Sequence, residues 1–182
     1  MTPMKRILSC ALALVVSLIA AAYEVKDGAV VFSSVIEGTG TVEQAHAALE
    51  SFFALRYNDV NSTQKLNQPD RLIYKGLFSQ LGSFAMGMWT IDAPHTVEVN
   101  IKDGRVRVRV SVSEAVYRST GGSAVRYTYS VPDSAPITAK CSNSSVSKKD
   151  CAAAFAEIER RAQAILADVE RSLKSSSADE DW

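Results

Sequence analysis

Apolar and polar positions alternate on both sides of Asp103-Gly104 in VEVNIKDGRVRVRV, residues 97–110. Val97, Val99 and Ile101 stand at period two before Asp103-Gly104, and Val106, Val108 and Val110 resume the period after it. Period two is the mark of a strand with one face buried, and Asp-Gly between two such runs predicts a hairpin closed by a two-residue type I′ turn. Pairing across that turn sets Ile101 opposite Val106, Val99 opposite Val108 and Val97 opposite Val110, which fills one face with β-branched cross-strand pairs. The other face sets Glu98 opposite Arg109, Asn100 opposite Arg107 and Lys102 opposite Arg105. Arg105, Arg107 and Arg109 therefore have two readings: the solvated side of a sheet, or a surface for an anionic partner.

Helical periods flank this hairpin. Val42, Ala45, Ala48, Leu49, Phe52 and Phe53 recur at helical spacing, with Thr41 placed as N-cap and Gln44 completing a capping box, so a helix is expected over Val42–Arg56. A second helix is expected over 148–173, capped by Ser147. Its stripe is Cys151, Phe155, Ile158, Ala162, Ile165, Leu166, Val169 and Leu173, and Glu157–Arg161 and Glu170–Lys174 support its wet side. Strands are expected over Ala29–Glu37, over 60–66 and 71–77 around the turn-forming Asn-Gln-Pro-Asp, and over 124–131. A strand, a helix, several antiparallel strands and a long C-terminal helix make an α+β layer fold. The organisation read from the chain is a domain over 23–118, an extension with a strand and the long helix over 119–174, and a loose polar tail over 175–182 ending in Trp182.

The N-terminus changes the picture. Lys5 and Arg6 precede an apolar run from Ile7 to Ala22 that closes on Ala20-Ala21-Ala22. This is the layout of an export signal cleaved before Tyr23, and the run is short for a spanning helix, although an uncleaved anchor is the alternative. No transmembrane span is expected after cleavage. Taking residues 1–22 away removes Lys5 and Arg6 and leaves 18 basic against 20 acidic residues, a formal charge of −2. Such a balance excludes the electrostatic footprint of a general nucleic-acid binder. Cys10 leaves with the signal, so Cys141 and Cys151 remain as a pair, which in an oxidising compartment reads as a structural disulfide.

Catalytic and cofactor signatures are missing. Gly38-Thr39-Gly40 lies between a strand and a helix, but Glu43 stands where a dinucleotide loop needs its third glycine. His46 and His95 have no partners at metal-ligand or triad spacing, so no metal, cofactor or catalytic residue is assigned and no enzyme is expected. The stretch FAMGMW, residues 84–89, is a buried strand on one reading. On the other it is a flexible apolar lip, in which Phe84, Met86, Met88 and Trp89 form a binding edge with Phe52 and Phe53 lining the same crevice.

Three stretches carry a further likeness: VVFSSVIEGTGTVEQAHAALESFFALRY, LIYKGLF and HTVEVNIKDGRVRV. Over about residues 30–112 they resemble the uncharacterised family of exported bacterial domains of unknown function with a TATA-binding-protein-like (TBP-like) fold. The resemblance implies that fold and, from where most members are found, the periplasm or cell envelope of a Gram-negative bacterium. It implies no activity, ligand or functional residue, and DNA binding does not follow from a shape. The reading is a non-catalytic interaction module that binds another envelope protein through its sheet or its lip. The alternative is a carrier or sensor of a small apolar ligand held between helix and sheet.

Overall fold

The computed structural model describes residues 23–57, 59–84, 86–119, 121–122, 124–128 and 147–178. The expected export signal, Cys141 and Trp182 lie outside the described residues. In chain order the elements are β1 (Tyr23–Lys26), β2 (Ala29–Glu37), α1 (Val42–Arg56), the single turn α2 (Val60–Thr63), β3 (Gln64–Gln68), β4 (Arg71–Phe84), β5 (Trp89–Lys102), β6 (Arg105–Val112), β7 (Glu114–Ser119), β8 (Ala124–Thr128) and α3 (Lys148–Ala178). All eight strands join one sheet by antiparallel pairing, in the order β1-β2-β6-β5-β4-β3, with β7 continuing beside the first part of β5 and β8 outside it.

The hairpin of residues 97–110 has the register that alternation dictates: Val97↔Val110, Val99↔Val108 and Ile101↔Val106 on one face, Glu98↔Arg109, Asn100↔Arg107 and Lys102↔Arg105 on the other. The type I′ turn is a correction. Gly104 has φ +75°, but Asp103 is not in the left-handed region that a type I′ turn requires of both central residues. Tertiary bonds decide this turn. Gly38 N–H donates to the Gly104 carbonyl (2.8 Å), Gly104 N–H donates to the Gly40 carbonyl (2.8 Å), and the Asp103 carboxylate accepts from Val42 N–H at the start of α1 (3.2 Å). The Gly38-Thr39-Gly40 loop is thus a clamp on the hairpin.

Helix α1 has the expected bounds and the expected capping box. Ala45, Leu49 and Phe53 are buried, and Val42, Ala48 and Phe52 pack beside them. In α3 Cys151, Ile158, Ala162, Ile165, Leu166, Val169 and Leu173 are buried, with Phe155 half-buried against them. At about 1.5–3 kcal/mol for each large aliphatic chain buried, that stripe holds α3 far more strongly than the Glu157–Arg161 and Glu170–Lys174 pairs, each worth under about 1 kcal/mol at the surface. Both helices and the inward residues of β2, β4, β5 and β6 share one core, so α3 completes the domain that α1 begins. The helix also runs past residue 173 to Ala178, into part of the expected tail.

One expectation differs from the structure here, and one strand was not anticipated. Residues 60–63 form a helical turn rather than the start of a strand, because the Asp59 carboxylate accepts from Ser62 N–H (3.2 Å) and its carbonyl from Thr63 N–H (3.1 Å). The chain also pairs from Tyr23 onward: Asp27 (φ +51°) and Gly28 (φ +76°) reverse it into β2, and the Tyr23 ring meets Phe32 of β2 (6.0 Å) and Phe155 of α3 (5.2 Å).

Candidate functional site

Because both helices pack on one face, the other face of the sheet carries no helix among the described residues. Register lines its side chains into rows. Glu37, Arg105 and Lys102 form one row; Val35, Arg107, Asn100 and Arg71 the next; Ser33, Arg109, Glu98 and Ile73 the third. Glu98 is clamped by Arg71 (2.8 Å) and Arg109 (2.9 Å). Burial raises the Glu98 carboxyl, but Arg109, the Asn100 amide and Arg71 outweigh it and hold it below the usual carboxylate range. The three arginines therefore divide. Arg109 is tied to Glu98 and half-buried, with its Nε left without a partner, while Arg105 and Arg107 are exposed and make no ion pair among the described residues. With Lys102, Val35 and Asn100 they line a groove of about 220 Å³.

The lip is partly corrected. Residues 86–88 turn the β4–β5 hairpin, so the stretch is not a buried strand. Met86 (φ +55°) and Gly87 (φ +82°) are both left-handed, and this reversal throws Met86 outward at 99% exposure and Met88 at 51%. Trp89 is half-buried against the core; Phe84 pairs with it through the backbone, and the Phe84 side chain lies outside the described residues. Phe53 is not at the lip. It is fully buried and stacked on Tyr74 (4.2 Å), while Phe52 packs beside it under the Arg56 guanidinium (5.8 Å). Tyr74 and Phe84 lie far apart on β4, roughly 30 Å at strand rise. Met86 and Met88 share no crevice with Phe52 and Phe53.

The histidines are better partnered than their sequence neighbours suggest. His46 lies between Asn67 (2.8 Å) and Glu50 (3.7 Å) on the surface. His95 is buried at 5% exposure, stacks on Phe78 (3.8 Å) and shares a hydrogen bond between its Nε2 and Tyr57 Oη (3.0 Å). Burial, then the Arg56 charge, lower its pKa from 6.5 to about 4, and burial pushes the Tyr57 phenol up to about 12. The readable signal was parity: His95 continues the inward series of Val97, Val99 and Ile101.

A pH profile follows from this. Between pH 6.5 and 4 the unfolded chain takes a proton on His95 that the native chain refuses, so stability falls as pH drops through that window. The full effect is about 3 kcal/mol, complete below pH 4 and absent above pH 6.5. Tyr57, Arg56 and Arg161 are the titratable or charged groups around the ring. Urea midpoints measured from pH 7 to 4 should show the slope, and His95→Gln should flatten it.

No protein-family model and no curated protein matches the chain. Two solved structures do. A TBP-like protein from Parabacteroides distasonis ATCC 8503 superposes with a TM-score of 0.57 at 15% identity, covering 83% of this chain and 96% of that one. A DUF4468 family protein from Bacteroides ovatus ATCC 8483 superposes with a TM-score of 0.59 at 14% identity, covering 85% of this chain and 91% of that one. At such identities the likeness establishes a shared fold, the antiparallel α+β architecture that the sequence resemblance implied.

Proposed function

We propose that this TBP-like domain is an exported, non-catalytic binding module that holds an acidic segment of an envelope protein on the helix-free face of its sheet. The observation that carries it is the groove of Lys102, Arg105 and Arg107, three cations for which the described residues offer no carboxylate within ion-pairing distance. Like charges gathered on neighbouring strands repel one another at a cost to the fold, and an anion laid across them removes that repulsion. A Glu/Asp-rich peptide titrated with the protein by fluorescence anisotropy tests this. Affinity should fall steeply as salt rises from low to physiological ionic strength, because exposed charge pairs are screened within about a Debye length. No binding at low salt would remove the proposal.

Export rests on the layout of residues 1–22 and on the resemblance to exported bacterial domains. Among the described residues no helix is long and apolar enough to cross a membrane. Protein recovered from its native host should begin at or near Tyr23; soluble protein that keeps Met1 would refute cleavage. An oxidising compartment would also join Cys141 to Cys151, which is buried on α3 with Sγ 3.9 Å from Tyr117 Oη. Closing so short a loop should stabilise the fold by a little under 3 kcal/mol in the chain-entropy model. Cys141→Ser should lower the melting temperature accordingly and leave peptide binding unchanged.

A further inference from the structure

A second site stands on the other side of the sheet, and its residues play no part in the groove just described. Strand β3 pairs with β4 only as far as Tyr74, so the outer edge of β4 beyond that point has no strand partner among the described residues. The C-terminal end of α1 and the middle of α3 frame this edge and leave a cleft of about 400 Å³, lined chiefly by Arg56, Tyr57, Gly76, Phe78, His95 and Arg161. That volume lies within the usual range for small-molecule sites.

Gly76 makes room for the two rings that floor the cleft. A Cβ there would stand 2.6 Å from His95 Cε1 and Nε2 and 2.8 Å from Tyr57 Cε1, so the two rings lie across bare strand backbone. The His95 ring has one nitrogen engaged by Tyr57 and the other, Nδ1, buried with no partner. A phenol held protonated is a donor at neutral pH, and when it donates to Nε2 the imidazole proton resides on Nδ1. A buried donor with no acceptor costs about 1–3 kcal/mol, a penalty borne within the wall of the cleft.

Charge on the rim selects the ligand. Arg56 is held by Asp168 (2.9 Å), and Arg161 by Glu157 (2.7 Å) and the Ser79 carbonyl (2.8 Å). Both guanidinium groups are thereby fixed in place, and neither has all its N–H donors engaged among the described residues. A planar fork held from behind is suited to a carboxylate, while Phe78 and Ile165 supply apolar wall. We propose that this cleft binds a small organic carboxylate, with its acid group between Arg56 and Arg161 and its apolar body on the Phe78 side.

The experiment follows the His95 ring signals by NMR in the full purified chain during titration with benzoate, benzyl alcohol and inorganic phosphate. Benzoate should give saturable shifts at His95, and both benzyl alcohol and phosphate should bind at least about tenfold more weakly, since each lacks one half of the match. Arg56→Gln is the cleaner variant because Asp168 keeps Arg171 (3.0 Å); it should weaken benzoate about tenfold while amide signals away from the cleft, in the β5–β6 hairpin, stay unchanged and report an intact fold. Absence of saturable shifts with benzoate at tens of millimolar, equal binding of benzyl alcohol or phosphate, or full binding by Arg56→Gln would each overturn the assignment. Loss of acidic-peptide binding on the opposite face would leave this result untouched, so the two readings fail separately.

Discussion

Phe53→Ala is expected to cost about 3–5 kcal/mol, the range for truncating a fully buried aromatic residue. The ring is at 0% exposure, stacks on Tyr74 at 4.2 Å, meets Phe52 edge-on at 5.0 Å and lies 6.0 Å from Tyr57. Removing it leaves a cavity where α1, α3 and the sheet converge, and Tyr57, the C-cap of α1, loses the surface that orients it. Chemical denaturation of the variant measures the loss. A cost below about 1 kcal/mol would mean that Phe53 faces a crevice, as the lip reading required. The same experiment on Met86→Ser should give a change of 0.5 kcal/mol or less, because that side chain touches solvent.

The second large effect concerns binding. Lys102→Gln, Arg105→Thr and Arg107→Thr together should weaken capture of an acidic peptide tenfold to a hundredfold, on the basis of roughly 0.5–1 kcal/mol for each exposed charge interaction removed. Stability should change little. All three side chains are exposed, and threonine suits a strand surface. Calorimetry and peptide titration on one preparation separate the two quantities. A loss of several kcal/mol in the unliganded variant would show that something covers the arginine face.

How much of this was legible depends on the range of the interactions involved. The 97–110 hairpin and α1 could be read residue by residue, since alternation, the capping box and helical periodicity are local and agree with the tertiary contacts. The stripe of α3 was equally clear, because one apolar face in 31 residues leaves little choice of side. Errors arose where a distant segment decides. The turn at Asp103 obeys the Gly38-Thr39-Gly40 loop rather than its own dipeptide. Met86 and Met88 alternated like strand residues, yet Gly87 between them supplied the turn. The Tyr57–His95 pair depends on the β4–β5 register, which sets Gly76 opposite His95, and a shift between Phe78 and Gly82 hides that register from the sequence. Tyr57 closes a helix, and nothing in its neighbourhood announces a partner 38 residues away.

The most direct test of the central claim is to map backbone amide shifts during titration with a Glu/Asp-rich peptide. The account predicts perturbations concentrated on β2, β5 and β6 around Val35, Asn100, Lys102, Arg105 and Arg107, with Met86 and the buried side of α3 silent. Shifts confined to α1, α3 or the 86–88 turn would contradict it.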